Sequence, residues 1–243
     1  MHRDPLPGKK RYCGLTGSSD ALALSRLAAE LRPLAGEHRG LAVLTATALD
    51  AGRLLEEIAW FAPQLRACLL PDWETLPYDS FSPHHDLVSE RLATLYRIHR
   101  GDFDIVIVPA ATALVRLCPP SYLAAYTFFL RQGERLDGEA LRRQLALAGY
   151  SAVTQVMTPG EFCFRGGIVD LFPMGSALPY RLDLFGDDIE TIRTFDVDTQ
   201  RTLYPVPDVR LLPAREFPLD ESGRTRFRSR FRDGHSQERI CPK

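Results

Sequence analysis

A glycine-containing segment near the amino terminus has the spacing of a phosphate-binding loop. Residues 14–21 read Gly-Leu-Thr-Gly-Ser-Ser-Asp-Ala and lie directly before a segment with helical periodicity. A working loop of the form G-x-x-x-x-G-K-[ST] cradles phosphates with backbone amides, reaches them with its lysine and holds magnesium with its hydroxyl group. The first question is therefore whether this chain binds and hydrolyses a nucleotide.

Three of the four diagnostic positions of that loop are replaced. Gly14 matches the first glycine, but Ser19, Asp20 and Ala21 stand where the second glycine, the lysine and the hydroxyl residue belong. A carboxylate about 4 Å from a phosphate costs a few kcal/mol at surface-like dielectric. Asp20 as the N-cap of the next helix would instead stabilise it by about 1 kcal/mol. We therefore interpret the segment (Gly14, Gly17, Ser19 and Asp20) as a degenerate phosphate loop with no cofactor and no ATP hydrolysis.

Two further groups of reactive side chains predict no site. Residues 72–86 contain His84, His85, Asp79 and Asp86, but adjacent histidines on a loop rarely converge on one metal ion. We expect no metal there and expect Asp86 to cap the next helix. The five cysteines are odd in number and form no C-x-x-C pair, which favours free thiols in a reducing compartment.

The composition is that of an ordinary globular protein. Hydrophobic residues make up 45% and charged residues 25% of the 243 residues, and the formal net charge is −1. This balance gives no sign of non-specific binding to nucleic acid. No stretch approaches the roughly 18 apolar residues of a membrane span, and no leader segment is evident, so we expect a cytoplasmic protein.

The periodicity predicts two kinds of domain. Residues 1–120 alternate helices (21–34, 49–61 and 86–100) with short apolar strands (41–45, 66–70 and 104–108), which predicts an α/β domain with a parallel sheet covered on both faces. Residues 121–212 contain strands at 127–131, 168–172, 180–185, 191–195 and 208–212 and one helix at 139–148, which predicts a smaller α+β domain with an antiparallel sheet. Residues 213–243 are rich in arginine and predict a basic tail, a frayed helix or the start of an incomplete domain.

Three sequence blocks resemble one known family. They are residues 72–86 (Asp-Trp-Glu-Thr-Leu-Pro-Tyr-Asp-Ser-Phe-Ser-Pro-His-His-Asp), residues 165–173 (Arg-Gly-Gly-Ile-Val-Asp-Leu-Phe-Pro), and residues 179–201, which include Pro-Tyr-Arg-Leu-Asp-Leu-Phe and Phe-Asp-Val-Asp-Thr-Gln-Arg. They resemble the amino-terminal, UvrB-like region of the bacterial transcription-repair coupling factors (Mfd). The resemblance covers residues 12–232 and departs from the family pattern beyond Arg232.

The resemblance implies a fold and a function. It implies a RecA-like α/β domain without its ATPase motifs, followed by a smaller domain that docks onto the excision-repair protein UvrA. This region would then be a non-catalytic adaptor that recruits UvrA in transcription-coupled nucleotide excision repair. In this family the full-length protein also binds RNA polymerase and translocates on double-stranded DNA, through regions beyond these 243 residues.

The resemblance also implies the binding residues. Arg165, Arg181 and Phe185 match the positions of an arginine-rich, partly apolar UvrA-binding face. The strand period places Arg181, Asp183 and Phe185 on one face, so we expect Asp183 to orient Arg181. Arg165 precedes Gly166-Gly167, which leaves room for its guanidinium and for a partner backbone.

Other interpretations of these residues remain open at this point. Phe185 could be a core residue, Arg181 could be a solvated strand residue, and Asp170 could be a structural hydrogen-bond acceptor beside the glycines. The chain as a whole could instead be a residual nucleotide-binding domain. It could also be a nucleic-acid-binding module that uses its arginine-rich end at residues 224–232.

Overall fold

A computed structural model of the chain describes residues 12–31, 40–75, 82–218 and 221–238. The chain forms two compact units, one containing residues 1–72 and 97–115 and the other containing residues 73–96 and 116–243. The fold is mixed α/β, with a parallel sheet in the first unit and mainly antiparallel sheets in the second. Within the described residues, no helix combines the length and the apolar character needed to cross a membrane.

The first unit alternates helices and strands, as its periodicity predicts. Its elements are α1 (Ser19–Leu31), β1 (Leu41–Thr45), α2 (Ala48–Phe61), β2 (Ala67–Leu69), the last turn of α3 (His85–Arg100), β3 (Ile105–Pro109) and α4 (Ala110–Ala113). The strands are parallel in the order β1-β3-β2. The central strand β3 has a strand on each side and is the most buried of the three, with four of its five residues buried. The predicted parallel sheet is confirmed.

One face of this sheet carries the core of the unit. Side chains from α1, α2, β3 and the segment before β2 form the buried cluster Ala21, Ala28, Ala51, Leu54, Ile58, Ala62, Leu65, Ile105 and Ile107. The other face is open at the edge strand β1, where Leu44 is 69% exposed. The prediction of a sheet covered on both faces is therefore wrong at β1, as far as the described residues go.

The second unit contains most of the strands. Its further elements are α5 (Pro120–Ala125), β4 (Phe128–Arg131), α6 (Gly138–Leu147), β5 (Ser151–Ala152), β6 (Glu161–Arg165), β7 (Ile168–Phe172), β8 (Tyr180–Phe185), β9 (Asp188–Phe195), β10 (Thr202–Pro205), β11 (Asp208–Leu211) and α7 (Glu221–Glu238). One sheet has six strands in the order β10-β9-β8-β7-β6-β5, and β4 pairs with β11 in a separate antiparallel sheet. Within the large sheet β5 and β6 alone are parallel.

Several of these elements escape the sequence analysis. β6 has the sequence Glu-Phe-Cys-Phe-Arg and pairs with β7. A two-residue turn, Gly166-Gly167, joins the two strands. Gly166 has a φ of +60°, a conformation that favours glycine. β10 is an exposed edge strand with no apolar alternation to reveal it. The arginine-rich end, for which a basic tail or frayed helix was one prediction, contains the helix α7.

The large sheet has two different faces. Residues directly opposite each other on neighbouring strands share a face, and so do alternate residues along a strand. One face, the buried face, carries fully buried apolar side chains: Phe162, Val169, Leu171, Leu182 and Ile192. The opposite face, called the polar face below, carries Arg165, Asp170, Arg181, Asp183 and Arg193. Helix α6 lies on the side of the buried face, where Arg142 stacks over the ring of Phe164 at 4.4 Å.

A buried ion pair joins α3 to the segment after β11. Arg91 is fully buried and donates from Nε and Nη2 to the carboxylate of Glu216, at 2.6 and 3.3 Å. Its guanidinium also lies over the indole ring of Trp73 at 4.3 Å. Because both charges are removed from water, each depends on the other for compensation. This pair therefore fixes the position of the segment that contains Glu216.

Candidate protein-interaction site

The polar face is organised around one buried carboxylate. Asp170 on β7 is 1% exposed and lies opposite Arg181 of β8 in the sheet register. Its Oδ1 accepts from Arg181 Nε at 2.7 Å, and its Oδ2 accepts from Arg181 Nη2 at 3.0 Å. Arg165 Nη2 donates to the same Oδ2. One carboxylate thus holds two guanidinium groups, and this small cluster keeps a net charge of about +1.

Arg181 is enclosed by more than its ion pair. Its side chain is only 15% exposed, and its guanidinium lies 4.8 Å from the centre of the Phe195 ring. Nη1 donates to the backbone carbonyl of Gln200 at 3.1 Å. The hydrogen bonds that Arg181 donates to Asp170 raise the pKa of Arg181 above its usual value, so the group stays charged despite its burial. Arg181 is therefore largely enclosed and has little exposed surface of its own.

The loop after β9 is shaped to receive Arg181. Gln200 adopts a φ of +57°, a conformation uncommon for residues other than glycine. Its side-chain amide holds this conformation by donating to the carbonyls of Val197 at 2.8 Å and Val156 at 3.3 Å. The backbone carbonyl of Gln200 then faces Arg181. The Thr199-Gln200-Arg201 segment therefore has a structural role, which is to present a carbonyl oxygen to Arg181.

The expectation that Asp183 orients Arg181 needs correction. Asp183 accepts a hydrogen bond from Thr191 Oγ1 at 2.8 Å, whereas Asp170 makes the direct bonds to Arg181. The reason is the strand register, which sets Asp170 opposite Arg181 and Asp183 opposite Thr191. Asp183 still contributes a favourable charge to Arg181 from two residues away. Asp170 is the structural acceptor that one of the alternatives above described.

Two of the candidate residues offer surface to a partner. Phe185, at the end of β8, is 78% exposed, so the alternative that it belongs to the core is wrong. The side chain of Arg165 is 47% exposed beside its bond to Asp170. The two residues are adjacent to the turns at Gly166 and Gly186, and Leu184 N donates to Gly167 O at 2.7 Å, which ties the two hairpins together. An exposed aromatic ring and a partly exposed guanidinium therefore lie on a rigid base.

Position 167 shows why this junction is held closely. A Cβ atom added at Gly167 would lie 3.1 Å from the carbonyl oxygen of Leu184. The lack of a side chain thus lets the β6–β7 turn approach β8 directly. The sequence analysis predicted that these glycines leave room for the Arg165 guanidinium and for a partner backbone. In the structure, Gly167 leaves room for the backbone of β8 in the same chain.

Arg193 is a residue of the polar face that the sequence analysis did not single out. It lies on β9 directly opposite Arg181 and is exposed. The segment 191–195 was predicted as a strand, and the period of two assigns position 193 to the same face as Phe195. That it stands beside Arg181 depends on the β8–β9 register, which the sequence alone does not specify.

The degenerate phosphate loop forms a helix start with a local ion pair. Helix α1 begins at Ser19, so Asp20 lies in its first turn and is not the predicted N-cap. Asp20 accepts from the amide of Ala21 at 2.8 Å and from both Nη atoms of Arg53 on α2, at 3.2 and 2.7 Å. The hydrogen bonds from Arg53 hold the pKa of the Asp20 carboxyl below its usual value. Gly14 and Gly17 have positive φ angles and form the turn before the helix.

The histidine cluster shows no metal-binding arrangement in the part of the chain that the structure describes. His84 Nδ1 lies 3.2 Å from Asp86 on an exposed surface, and no group of three or more ligand side chains converges there or elsewhere among those residues. Asp79 lies outside the described residues. Helix α3 begins at His85, so Asp86 is in its first turn and is not the cap that was predicted.

The described cysteines are free thiols, and one of them allows a chemical test. Burial and the nearby charge of Glu216 raise the pKa of the Cys118 thiol to about 11. At pH 8 only about one molecule in a thousand then carries the reactive thiolate, and this fraction rises about tenfold for each pH unit. We expect iodoacetamide to label Cys118 slowly at pH 8 and about tenfold faster at pH 9, as peptide mapping by mass spectrometry would measure. Labelling at pH 8 as fast as in the urea-unfolded chain would contradict this.

The chain is similar to known proteins, and one of the matches covers the residues of this surface. The family model of the UvrB interaction domain matches residues 128–217, which contain the whole polar face and Phe185. Over 234 residues the chain is 47% identical to the transcription-repair-coupling factor of Escherichia coli K12, a match covering 96% of this chain and 20% of that protein. The corresponding protein of Haemophilus influenzae is 45% identical over 224 residues, covering 92% of this chain and 19% of the relative.

A more distant relative shows the same relation. The transcription-repair-coupling factor of Myxococcus xanthus is 34% identical over 234 residues, covering 91% of this chain and 19% of its own length. The chain thus spans about a fifth of the length of these relatives. Residues 128–217 are a UvrB interaction domain, and the chain belongs to the transcription-repair-coupling factor family, in which it matches the amino-terminal region.

Proposed function

We propose that this chain is an adaptor that binds UvrA and thereby recruits it in transcription-coupled nucleotide excision repair. The observation that carries the proposal is the match of the UvrB interaction domain to residues 128–217, in which Phe185 and Arg165 are exposed on the same sheet and Arg165 belongs to an ion-pair cluster. Contacts with RNA polymerase and DNA would be functions of other regions of the full-length relatives.

Each residue would have a distinct part in binding. Aromatic and arginine side chains dominate protein-binding hot spots, because aromatic rings bury much apolar area and the planar guanidinium makes several hydrogen bonds at once. Phe185 would insert into an apolar pocket of UvrA, and Arg165 would donate to a polar group beside it. Asp170 and Arg181 would hold Arg165 in place, since Asp170 is shared by both arginines. The loss of side-chain entropy on fixing Arg165 then occurs largely during folding and adds little to the cost of binding.

Replacing Phe185 by alanine should weaken UvrA binding by about 20- to 100-fold, the effect of a hot-spot residue. The fold should be unaffected, because the ring is 78% exposed and leaves no cavity when it is removed. Isothermal titration calorimetry of the chain with purified UvrA measures this. Trp60→Ala is the matched control, since Trp60 is equally exposed at 78% but lies on α2 of the first unit.

Three results of this titration are possible, and each has a different meaning. Binding by the wild-type chain and by Trp60→Ala, with loss in Phe185→Ala, would support the assignment of the site. Equal affinity of Phe185→Ala and the wild type would contradict the assignment of Phe185, and an absence of binding by the wild type would contradict the adaptor function itself.

For residues 1–120, which contain the whole first unit together with residues 73–96 and 116–120 of the second, we propose a degenerate RecA-like domain that binds no nucleotide. Under this proposal residues 1–120 form that domain, residues 121–212 form the UvrA-binding domain and residues 213–243 begin a further one. Three parallel strands with helices between them support it, as does Asp20 at the position of the phosphate-binding lysine. The Ala21 amide, a donor that a phosphate would need, is occupied by the Asp20 carboxylate. Saturable heat on titration with ATP and magnesium would refute this part of the proposal.

A further inference from the structure

Arg193 is placed where the sheet register makes a positive charge unfavourable. It lies directly across from Arg181, and like charges at directly opposed positions destabilise a sheet. Its other neighbour in the register is Pro205 on the edge strand β10, which has no charge to offer. Among the residues that the structure describes, no carboxylate makes an ion pair with Arg193.

The carboxylates near Arg193 are already used. Both oxygens of Asp170 accept from Arg181, and one of them also accepts from Arg165. Asp183, diagonal to Arg193 across the strands, accepts from Thr191. Around Arg193, the group formed by Arg165, Asp170, Arg181, Asp183 and Arg193 has three arginines and two carboxylates, and the more central carboxylate is buried. Two further carboxylates of this face lie farther from Arg193: Glu161 accepts from the backbone amides of Met157 and Thr158, and Asp188 lies opposite Phe185. This group of five residues has a net charge of about +1, and Arg193 is an exposed part of it.

We propose that Arg193 is a further contact residue of the UvrA-binding site and that it pairs with a carboxylate of UvrA. This rests on the proposed function above and extends the site from β6 and β8 across to β9. A carboxylate from the partner would offset the repulsion between Arg193 and Arg181, which in the free chain has no ion pair at Arg193 to compensate it. The planar guanidinium can grip such a carboxylate through two parallel hydrogen bonds. The partner surface that fits this face is thus acidic beside the pocket for Phe185.

The charge reversal Arg193→Glu distinguishes this role from a structural one. Because residue 193 is exposed and faces Arg181, a glutamate there would form an opposite-charge pair, and the melting temperature of the free chain should stay the same or rise. Binding to UvrA should nevertheless weaken by at least about 30-fold at 0.1 M salt, because two acidic groups then face each other. The affinity of the variant should also depend less on salt than that of the wild type.

The control is Arg143→Glu, which makes the same change at an exposed arginine of α6, on the side of the buried face. It should bind UvrA within about threefold of the wild type. Calorimetry at 0.1 and 0.4 M salt, with thermal unfolding of each free variant, gives all the quantities. Wild-type affinity in Arg193→Glu, together with loss in Phe185→Ala, would overturn the role of Arg193 and leave the adaptor function standing. No binding by the wild-type chain would overturn both.

Discussion

Glu216→Ala should lower the free energy of unfolding of the second unit by about 3–5 kcal/mol, the largest effect we expect from a single substitution here. The partner Arg91 is fully buried, and the substitution removes the carboxylate that accepts from its Nε and Nη2. The indole of Trp73 would remain over the guanidinium but compensates only a small part of the lost ion pair. The result should appear as a lower midpoint in urea.

Tryptophan fluorescence is a suitable reporter for this measurement. The chain has two tryptophans, and Trp73 contacts Arg91 directly, so a Trp60→Phe background isolates the signal of the second unit. Glu190→Ala is the control, because Glu190 is an exposed glutamate on β9 and its loss should change stability by no more than about 0.5 kcal/mol. The double replacement of Arg91 by Met and Glu216 by Leu should be more stable than Glu216→Ala, since it removes both charges of this buried pair. A loss below about 1 kcal/mol in Glu216→Ala would show that the pair is not needed.

Arg181→Ala should cost about 2–4 kcal/mol of stability, which is more than expected for a surface arginine. Asp170 is 1% exposed and would lose two of its three hydrogen bonds, while the carbonyl of Gln200 would lose its donor. Arg165 still contacts Asp170, which keeps the expected cost below that of Glu216→Ala. Urea unfolding in the Trp60→Phe background measures the difference.

Two companion variants test the reason for this cost. Arg165→Ala should lose less than about 1 kcal/mol, because that side chain is 47% exposed and Arg181 continues to hold Asp170. Asp170→Asn combined with Arg181→Met should be more stable than Arg181→Ala alone, since the buried negative charge is removed with its partner. If Arg181→Ala were as stable as Arg165→Ala, the interpretation of Arg181 as a positioning residue would be wrong. Loss of UvrA binding in Arg181→Ala alone therefore does not identify a contact.

The elements that depend on local patterns could be predicted from the sequence. The apolar run 104–108 and the helices around it indicated a parallel sheet, because strands buried on both sides are continuously apolar and helical connections join parallel neighbours. The alternation of side chains likewise predicted the strand at 180–185, and Gly186 predicted the turn that follows it. The resemblance to the coupling factors then selected Arg165, Arg181 and Phe185 out of many exposed candidates.

The roles of these residues depend on long-range pairing and could not be predicted in this way. The period of two assigned Arg181 and Asp183 to one face, but it carried no information about the register of β7 against β8. That register alone brings Asp170 to Arg181 and leaves Asp183 to Thr191. Arg193 was overlooked for the same reason, since its position beside Arg181 follows from the pairing of β8 with β9.

The sequence by itself determined the α/β character of the first unit, the missing lysine at position 20 and the family to which the three motif blocks point. The tertiary structure decided which of these side chains is buried and which is exposed: Arg181 is enclosed by Asp170, Phe195 and Gln200, while Phe185 and Arg193 remain exposed. The physical reason is that burial of a charged group depends on the strands and loops that close over it. Those come from distant parts of the chain, whereas periodicity reports only the conformation of each segment.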